Sequence, residues 1–220
     1  VESYKENCEK TAGKGLMCMF SGNHDVDRLA RHLHGDELKV AFAFILSMPG
    51  APFIYYGDEI GMRYVEGLKS VEGGYNRTGS RSPMQWDDST NAGFSSAPAS
   101  DLYIAMDPDK DRPTAKKEMA APDSLYHEVK KLIRIRQSHK ALQSRGKITF
   151  VYAEKNTYPL AYIREDGDEK ILVIINAAAE AKTFACDAEP KEAIYNFGAA
   201  AEAKNGKITV PAQSAGFYRI

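Results

Sequence analysis

The sequence contains little cysteine, a single tryptophan and no excess of charge of either sign. Its 220 residues include 3 cysteines, and 29 basic side chains balance 30 acidic ones for a formal net charge of -1. The cysteines Cys8, Cys18 and Cys186 are odd in number and have no metal-ligand spacing, which argues against a disulfide framework or a zinc site. We therefore expect free thiols, as in a reducing compartment, and a cytoplasmic location.

The balanced charge and the short hydrophobic runs disfavour two classes of partner. No stretch concentrates enough basic residues to follow a phosphate backbone, so we expect no nucleic-acid partner. The longest apolar run, Val40 to Met48, falls well short of the roughly 20 residues that cross a bilayer, so we expect no membrane span. The first ten residues, VESYKENCEK, lack an apolar signal region and do not begin with Met, which suits a fragment of a longer protein.

The first sixty residues follow the order strand, loop, helix, strand. Leu16 to Phe20 is a short apolar run that predicts a buried strand, and a polar loop beginning at Ser21 follows it. Asp36 is placed to cap a helix that continues to Met48, where Pro49 and Gly50 end it. A second buried strand is predicted over Phe53 to Tyr56. This order is that of a βαβ crossover, which belongs to a parallel sheet covered by helices.

The stretch from Gly61 to Pro122 is much longer than an ordinary connection. It is rich in Gly, Ser, Pro, Asn and Asp, which predicts a functional or packing loop rather than a linker. Tyr75-Asn76 and Trp86 are the expected anchors within it.

A helix and then a series of strands are predicted for the rest of the chain. Apolar residues at helical spacing indicate an amphipathic helix over Asp123 to Leu142, capped by Asp123 or Ser124, with its basic residues on a solvated outer face. Strands are predicted over Ile148–Tyr152, Leu160–Arg164, Ile171–Asn176, Thr183–Phe184, Ala193–Phe197, Ile208–Val210 and Gly216–Ile220. Turns such as Asn205-Gly206 separate them, which is typical of an antiparallel β-sandwich. We expect two domains, residues 1–144 and residues 145–220.

Three consecutive segments resemble signatures of one enzyme family. They are FSGNHDVDR (Phe20 to Arg28), PGAPFIYYGDEIGM (Pro49 to Met62) and RSPMQWDDSTNAGFS (Arg81 to Ser95). Together they resemble the α-amylase family of glycoside hydrolases, family 13. The third segment is similar to that of oligo-1,6-glucosidases, α-glucosidases and trehalulose- or trehalose-forming members, which act on short oligosaccharides.

The resemblance implies an α/β plus all-β fold. It makes Leu16 to Phe20 the seventh strand and Phe53 to Tyr56 the eighth strand of a (β/α)₈ barrel, which a β-sandwich follows. A complete barrel takes about 250 residues. The first six strands are therefore expected outside this chain, as a missing N-terminal barrel portion.

The resemblance also implies site residues. In the family, earlier strands contribute a carboxylate nucleophile and a carboxylic acid/base, and neither motif occurs here. The matching Asn23-His24-Asp25 gives Asp25 the role of transition-state stabiliser and His24 that of binding substrate hydroxyls, and an arginine at the place of Arg28 reaches the substrate or the pocket rim. An ionised carboxylate suits this role because the oxocarbenium-like transition state is positive. The implied partner is an α-glucosidic oligosaccharide; no cofactor or metal ligand is predicted in this chain, and calcium binding by the parent enzyme stays open.

Several alternatives remain open at this stage. Asn23-His24-Asp25 by itself also suits a simple turn. Asp58 and Glu59 suit either a pocket or a helix cap, and the Trp86 ring suits either packing or sugar stacking.

Two other functions also remain. The chain could be a non-catalytic carbohydrate-binding or interaction module, which would need an exposed row of aromatic rings on the sandwich; the candidates are Phe150, Tyr152, Tyr158, Tyr162 and Phe217. It could instead assemble with a partner chain that carries the missing strands. Because the chain lacks the nucleophile and the acid/base that the glycosidase hypothesis requires, we expect the isolated chain to have no turnover.

Overall fold

The computed structural model describes residues 1–11, 13–70 and 77–220. In chain order, its helices and strands are α1 (Glu2–Thr11), β1 (Cys18–Phe20), α2 (Asp36–Ser47), β2 (Ala51–Phe53), α3 (Ala115–Ala120), α4 (Leu125–Ser138), β3 (Lys147–Tyr152), β4 (Leu160–Asp166), β5 (Glu169–Asn176), β6 (Lys182–Ala185), β7 (Ala193–Phe197), β8 (Glu202–Lys204), β9 (Lys207–Val210) and β10 (Ser214–Arg219). The chain divides into two compact units: unit 1 comprises 1–19, 39–52 and 131–220, and unit 2 comprises 20–38 and 53–130.

Strands β1 and β2 form a two-stranded sheet. The Ala51 N–H donates to the Met17 carbonyl at 2.8 Å and the Ser21 N–H to the Phe53 carbonyl at 2.9 Å. The residue numbers of both strands increase from the first pair to the second, so the strands are parallel. The first strand is shorter than predicted. The second is displaced from its predicted position, because it covers Ala51–Phe53 and shares only Phe53 with the predicted Phe53 to Tyr56. The second ends at Phe53 because the Tyr55 N–H donates to the Ser21 hydroxyl, at 3.0 Å, rather than to a strand carbonyl.

The predicted burial of these two strands was wrong. Phe20 is 47% exposed and Phe53 is 59% exposed. Leu16, which was expected to begin the first strand, is 43% exposed and lies outside it. The first apolar run correctly indicated a strand, whereas the second began where the observed strand ends. Among the described residues, β1 and β2 form a sheet of two strands.

The predicted helix is present as α2 and is apolar on most of its circumference. Val40, Phe42, Ala43, Ile45 and Leu46 are all buried, as in a core helix. The helix ends at Ser47, and Gly50 follows it with a φ of +103°. A Cβ on Gly50 would meet the Met17 carbonyl oxygen at 2.3 Å. Glycine is therefore required at this position.

Two antiparallel sheets dominate unit 1. The five-stranded sheet has the order β3-β4-β5-β10-β7, and the three-stranded sheet has the order β6-β9-β8. Side chains from both sheets meet in one core that contains Leu172 and Ile174 of β5, Phe184 of β6, Ile208 of β9 and Tyr218 of β10. The alternation of apolar residues predicted these strands to within a few residues, except for β8, whose three residues are all exposed.

Helix α4 is shorter than the predicted helix and buries one of its basic residues. The Ser124 hydroxyl accepts from the His127 N–H at 3.4 Å near the start, and the helix ends at Ser138. Arg136 was expected on the solvated face but is 7% exposed. Its guanidinium donates to the carbonyls of Leu46, Met48 and Gly50 at 2.7 to 2.9 Å. These hydrogen bonds compensate for the burial of the charged group.

The long stretch after Gly61 belongs to unit 2 and contains short 3-10 helices and α3. Trp86 anchors it through backbone hydrogen bonds with Ala92 and Lys116. The other expected anchor, Tyr75-Asn76, lies outside the described residues. In the part of the chain that the structure describes, no helix is long and apolar enough to span a bilayer.

These elements show a chain of mixed helix and sheet with antiparallel sheets in its C-terminal part. The domain division into residues 1–144 and 145–220 stays a prediction.

Candidate active site

The predicted site lies on the loop from Ser21 to Arg28, directly after β1. The Asn23 side-chain oxygen accepts from the N–H groups of Asp25 and Val26, at 2.6 and 3.1 Å. This is an Asx-turn, so the local alternative considered for Asn23-His24-Asp25 is present in the structure. The turn leaves both His24 and Asp25 exposed.

Two arginines surround the Asp25 carboxylate. Asp25 Oδ1 accepts from Arg77 Nη1 and, at 3.2 Å, from Arg81 Nη2. Arg81 Nε also donates to the His24 carbonyl at 2.9 Å, which ties the backbone of the turn to the same guanidinium. The Asp25 side chain is still 45% exposed, so it stays accessible to a ligand.

His24 lies next to this carboxylate. Its Nε2 is 3.5 Å from Asp25 Oδ2, and its side chain is 68% exposed. The imidazole and the carboxylate are therefore adjacent polar groups on one accessible turn, an arrangement that can bind neighbouring hydroxyls of a sugar.

Arg28, the third predicted site residue, is buried rather than open. Its Nη1 donates to the Tyr56 carbonyl and to Asp58 Oδ1, each at 2.8 Å. The guanidinium carbon lies 4.7 Å and 4.9 Å from the ring centroids of Tyr55 and Tyr56. The structure thus places Arg28 at the end of the same loop but in the interior of unit 2.

Asp58 is the acidic partner of this arginine. Its Oδ2 accepts from the Ser21 hydroxyl at 2.7 Å, and its side chain is 1% exposed. Burial raises the pKa of Asp58, whereas the hydrogen bond from Ser21 and the Arg28 charge act in the opposite direction. Of the two roles considered from the sequence, pocket group or helix cap, Asp58 takes neither and is a buried ion-pair partner.

An aromatic cleft of about 380 Å³ lies in the same unit. It is lined by Tyr56, Glu59, Arg81, Pro83, Met84, Trp86, Phe94, Tyr103 and Ile104. Burial raises the pKa of Glu59. Trp86 is 52% exposed, so packing and sugar stacking both remain compatible with its position.

The sheets of unit 1 do not present the aromatic row that a sugar-binding module would need. Of the candidate rings, Tyr162 and Phe217 are 0% and 1% exposed. Phe150 and Tyr152 are half-buried, and Tyr158 is exposed. Among residues 1–11, 13–70 and 77–220, no group of three or more His, Cys, Asp and Glu side chains could hold a metal ion.

Comparison with known families decides the family of this chain. A model described as alpha amylase, catalytic domain, matches residues 1–145. The chain belongs to the α-amylase family. It is 29% identical over 230 residues to the glucan 1,6-alpha-glucosidase of Streptococcus pneumoniae serotype 4, which covers 90% of this chain and 42% of that protein. It is 30% identical over 206 residues to the oligo-1,6-glucosidase of Parageobacillus thermoglucosidasius, with coverage of 78% and 36%.

A solved structure resembles this chain in fold. The trehalulose synthase MutB from Pseudomonas mesoacidophila MX-45 superimposes with a TM-score of 0.84 at 25% identity, covering 99% of this chain and 45% of that chain. This α-amylase-family chain therefore spans less than half the length of these relatives.

Reasoning from the sequence missed Arg77 and Arg81, and it considered Asp58 without its pairing to Ser21 and Arg28. Asp58 lies within the second motif and Arg81 begins the third, and this was the available signal. No sequence feature connects Arg77 with Asp25, 52 positions earlier.

Proposed function

We propose that the protein containing this chain hydrolyses or transfers α-glucosyl groups of short oligosaccharides with net retention of configuration. Asp25 serves as the ionised carboxylate that stabilises the oxocarbenium-like transition state, and His24 binds substrate hydroxyls. Arg28 is carried over from the family as a contact to the substrate or pocket rim, although its guanidinium is buried against Asp58.

The observation that carries this proposal is the environment of Asp25. Its carboxylate is both accessible and held by Arg77 and Arg81, at the end of a strand that pairs with β2. In barrel enzymes catalytic groups lie at the C-terminal ends of strands. A carboxylate prepositioned there interacts with developing positive charge without reorganising during the reaction.

We further propose that β1 and β2 are the seventh and eighth strands of a (β/α)₈ barrel and that the two antiparallel sheets form a β-sandwich. The exposed Phe20 and Phe53 support this, because large rings on a two-stranded sheet require covering. The covering part is the N-terminal barrel portion, which would also supply the nucleophile and the acid/base, about 5 to 5.5 Å apart in a retaining enzyme.

The substrate class follows the relatives. Those matched are glucan 1,6- and oligo-1,6-glucosidases, and the structural neighbour is a trehalulose synthase. We therefore propose an α-linked oligosaccharide such as isomaltose, maltose or sucrose as substrate. A cytoplasmic location remains a prediction from the free thiols.

The test is glucose release from isomaltose, maltose and sucrose by the full-length protein. Asp25→Asn removes the charge while keeping the size of the side chain. It should raise the barrier by about 3 kcal/mol, by analogy with the loss of one oxyanion donor, and so lower kcat on the order of a hundredfold. The matched control is Asp101→Asn, an exposed carboxylate that accepts from the Ser100 hydroxyl.

Loss of turnover in Asp25→Asn with full turnover in Asp101→Asn supports the assigned role. Undiminished hydrolysis by Asp25→Asn refutes it. If the full-length protein releases no glucose from any of the three substrates and produces no isomeric disaccharide from sucrose, the proposed reaction itself is wrong.

A further inference from the structure

The two ends of the loop that carries His24 and Asp25 meet at one carboxylate. At the start of the loop, the Ser21 hydroxyl donates to Asp58 Oδ2 at 2.7 Å. At its end, Arg28 Nη1 donates to Asp58 Oδ1 at 2.8 Å. Both oxygens of Asp58 are thus used, one for each end of the loop, and the Arg28 and Asp58 side chains are 0% and 1% exposed.

Further hydrogen bonds tie the same loop ends to the segment that carries Asp58. The Ser21 hydroxyl accepts from the Tyr55 N–H at 3.0 Å, and Arg28 donates to the Tyr56 carbonyl at 2.8 Å. The Asp58 N–H in turn donates to the Tyr55 carbonyl at 3.0 Å. The carboxylate and the backbone from Tyr55 to Asp58 therefore form one continuous support beneath the loop.

Two glycines allow close backbone packing around Asp58. A Cβ on Gly22 would lie 2.9 Å from Asp58 Oδ2, and a Cβ on Gly57 would lie 2.1 Å from Met62 Sδ. Gly57 also has a φ of +83°, which a side chain would strain. The site thus combines a buried, hydrogen-bonded carboxylate with a loop that approaches it closely.

We propose that Asp58 is a positioning residue for the reaction: by holding Ser21 and Arg28 together it fixes the turn that presents His24 and Asp25 to the substrate. This inference rests on the proposed function, and Asp58 acts through the loop without touching the substrate.

The energetics of the buried Asp58–Arg28 pair favour a role in positioning the loop over a role in fold stability alone. Removing a carboxylate and a guanidinium from water is costly, and replacing such a pair with apolar residues is often neutral for stability. Catalysis, in contrast, depends steeply on geometry, since a displacement of about 1 Å can cost on the order of a hundredfold in rate.

The experiment uses the full-length protein with four changes: Asp58→Asn, Ser21→Ala, the double variant Arg28→Met with Asp58→Asn, and the control Asp101→Asn. For each we would measure kcat and KM on isomaltose, the melting temperature, and amide hydrogen exchange in the peptide covering residues 20–28. The double variant removes the unpaired buried charge that Asp58→Asn leaves behind, and Ser21→Ala releases only the start of the loop.

We expect Asp58→Asn to lower kcat about a hundredfold with little change in KM, and to speed exchange in residues 20–28. Ser21→Ala should show both effects to a smaller extent, and Asp101→Asn neither. The double variant should regain melting temperature but not kcat, and exchange in residues 20–28 should stay fast because the loop remains untethered. The exchange distinguishes this from the loss of an Arg28 contact to the substrate, which would leave the loop protected.

Recovery of kcat together with melting temperature in the double variant would overturn the proposal, since Asp58 would then serve stability alone. Unchanged exchange in residues 20–28 of Asp58→Asn would also overturn it. If the wild-type protein has no glycosidic activity, the proposed function fails, while the exchange data still show whether Asp58 holds the loop.

Discussion

Two buried arginines in unit 1 show how single residues organise this chain. Arg164 is 0% exposed, and its guanidinium donates only to carbonyls: those of Ser47, Leu142, Gln143, Gly146 and Lys147. Arg136 likewise donates to the carbonyls of Leu46, Met48 and Gly50. Both therefore satisfy carbonyls at the C-terminal end of α2, where a helix has unpaired acceptors and a partial negative charge. Burial lowers the pKa of Arg164 to about 10. Because this value is still well above 7, the guanidinium carries its charge at neutral pH.

Arg164→Lys should lower the free energy of unfolding by roughly 3 kcal/mol. An ammonium keeps the charge, but its compact head cannot reach the carbonyls that the planar guanidinium joins, and unpaired buried acceptors are costly. Denaturant unfolding of the variant beside Arg134→Lys, an exposed arginine on α4, measures the difference. Equal stability of the two variants would contradict the role given to Arg164.

At the scale of elements, an acidic side chain joins β5 to the turn after α4. Glu169 Oε1 lies 2.6 Å from His139 Nδ1, and Glu169 Oε2 accepts from the Ala141 N–H at 2.9 Å. Partial burial acts to raise the pKa of Glu169, but the hydrogen bonds from Ala141 and His139 outweigh it, so the pKa is lowered. The 3-10 helix Lys140–Leu142 is therefore held against the sheet by an ionised carboxylate.

The hydrogen bonds of Glu169 should make the free energy of unfolding depend on pH. Because the folded-state pKa of Glu169 is depressed, its contribution is complete above the ordinary glutamate value of about 4.3 and is lost as pH falls through the lower folded value. The difference in unfolding free energy between wild type and Glu169→Gln should consequently shrink between pH 5 and pH 3. Urea titrations across that range provide the measurement, with the exposed Glu202→Gln as control. A difference that stays constant with pH would rule the linkage out.

At the scale of the whole molecule, the exposed rings of the small β1 and β2 sheet stand out. Phe20 and Phe53 are about half exposed, and each lies on one of the two paired strands. An uncovered apolar sheet with free edges is prone to associate with other chains. In our proposal the N-terminal barrel portion covers this surface.

The isolated chain should therefore self-associate and release no glucose from isomaltose, maltose or sucrose. Phe53→Ser should lower the weight-average mass in sedimentation equilibrium, because it removes the more exposed of the two rings. Tyr158→Ser is the matched control, since Tyr158 is 44% exposed on unit 1. Turnover by the isolated chain would show that it contains a complete active site, contrary to the proposal.

Local patterns in the sequence predicted much of this chain. Alternating apolar residues indicated seven of the strands after Arg145, and Asp36 together with Pro49-Gly50 indicated the ends of α2 closely. The three motifs identified the family, because each is a compact run of residues and their order and separation can be read directly from the sequence. The helices α1 and α3 and the exposed strand β8 were missed; β8 has no buried face to impose a pattern.

The sequence by itself determined the family, the order of strands and helices, and the position of His24 and Asp25 directly after a strand. Only the tertiary structure decided that Arg77 and Arg81 surround Asp25 from 52 and 56 positions away, and that Asp58 joins Ser21 and Arg28 from 37 and 30 positions away. It also decided that Arg136 points inward. The physical reason is that hydrophobic periodicity is a local property of the chain, whereas charge pairs and carbonyl contacts depend on which distant segments folding brings together.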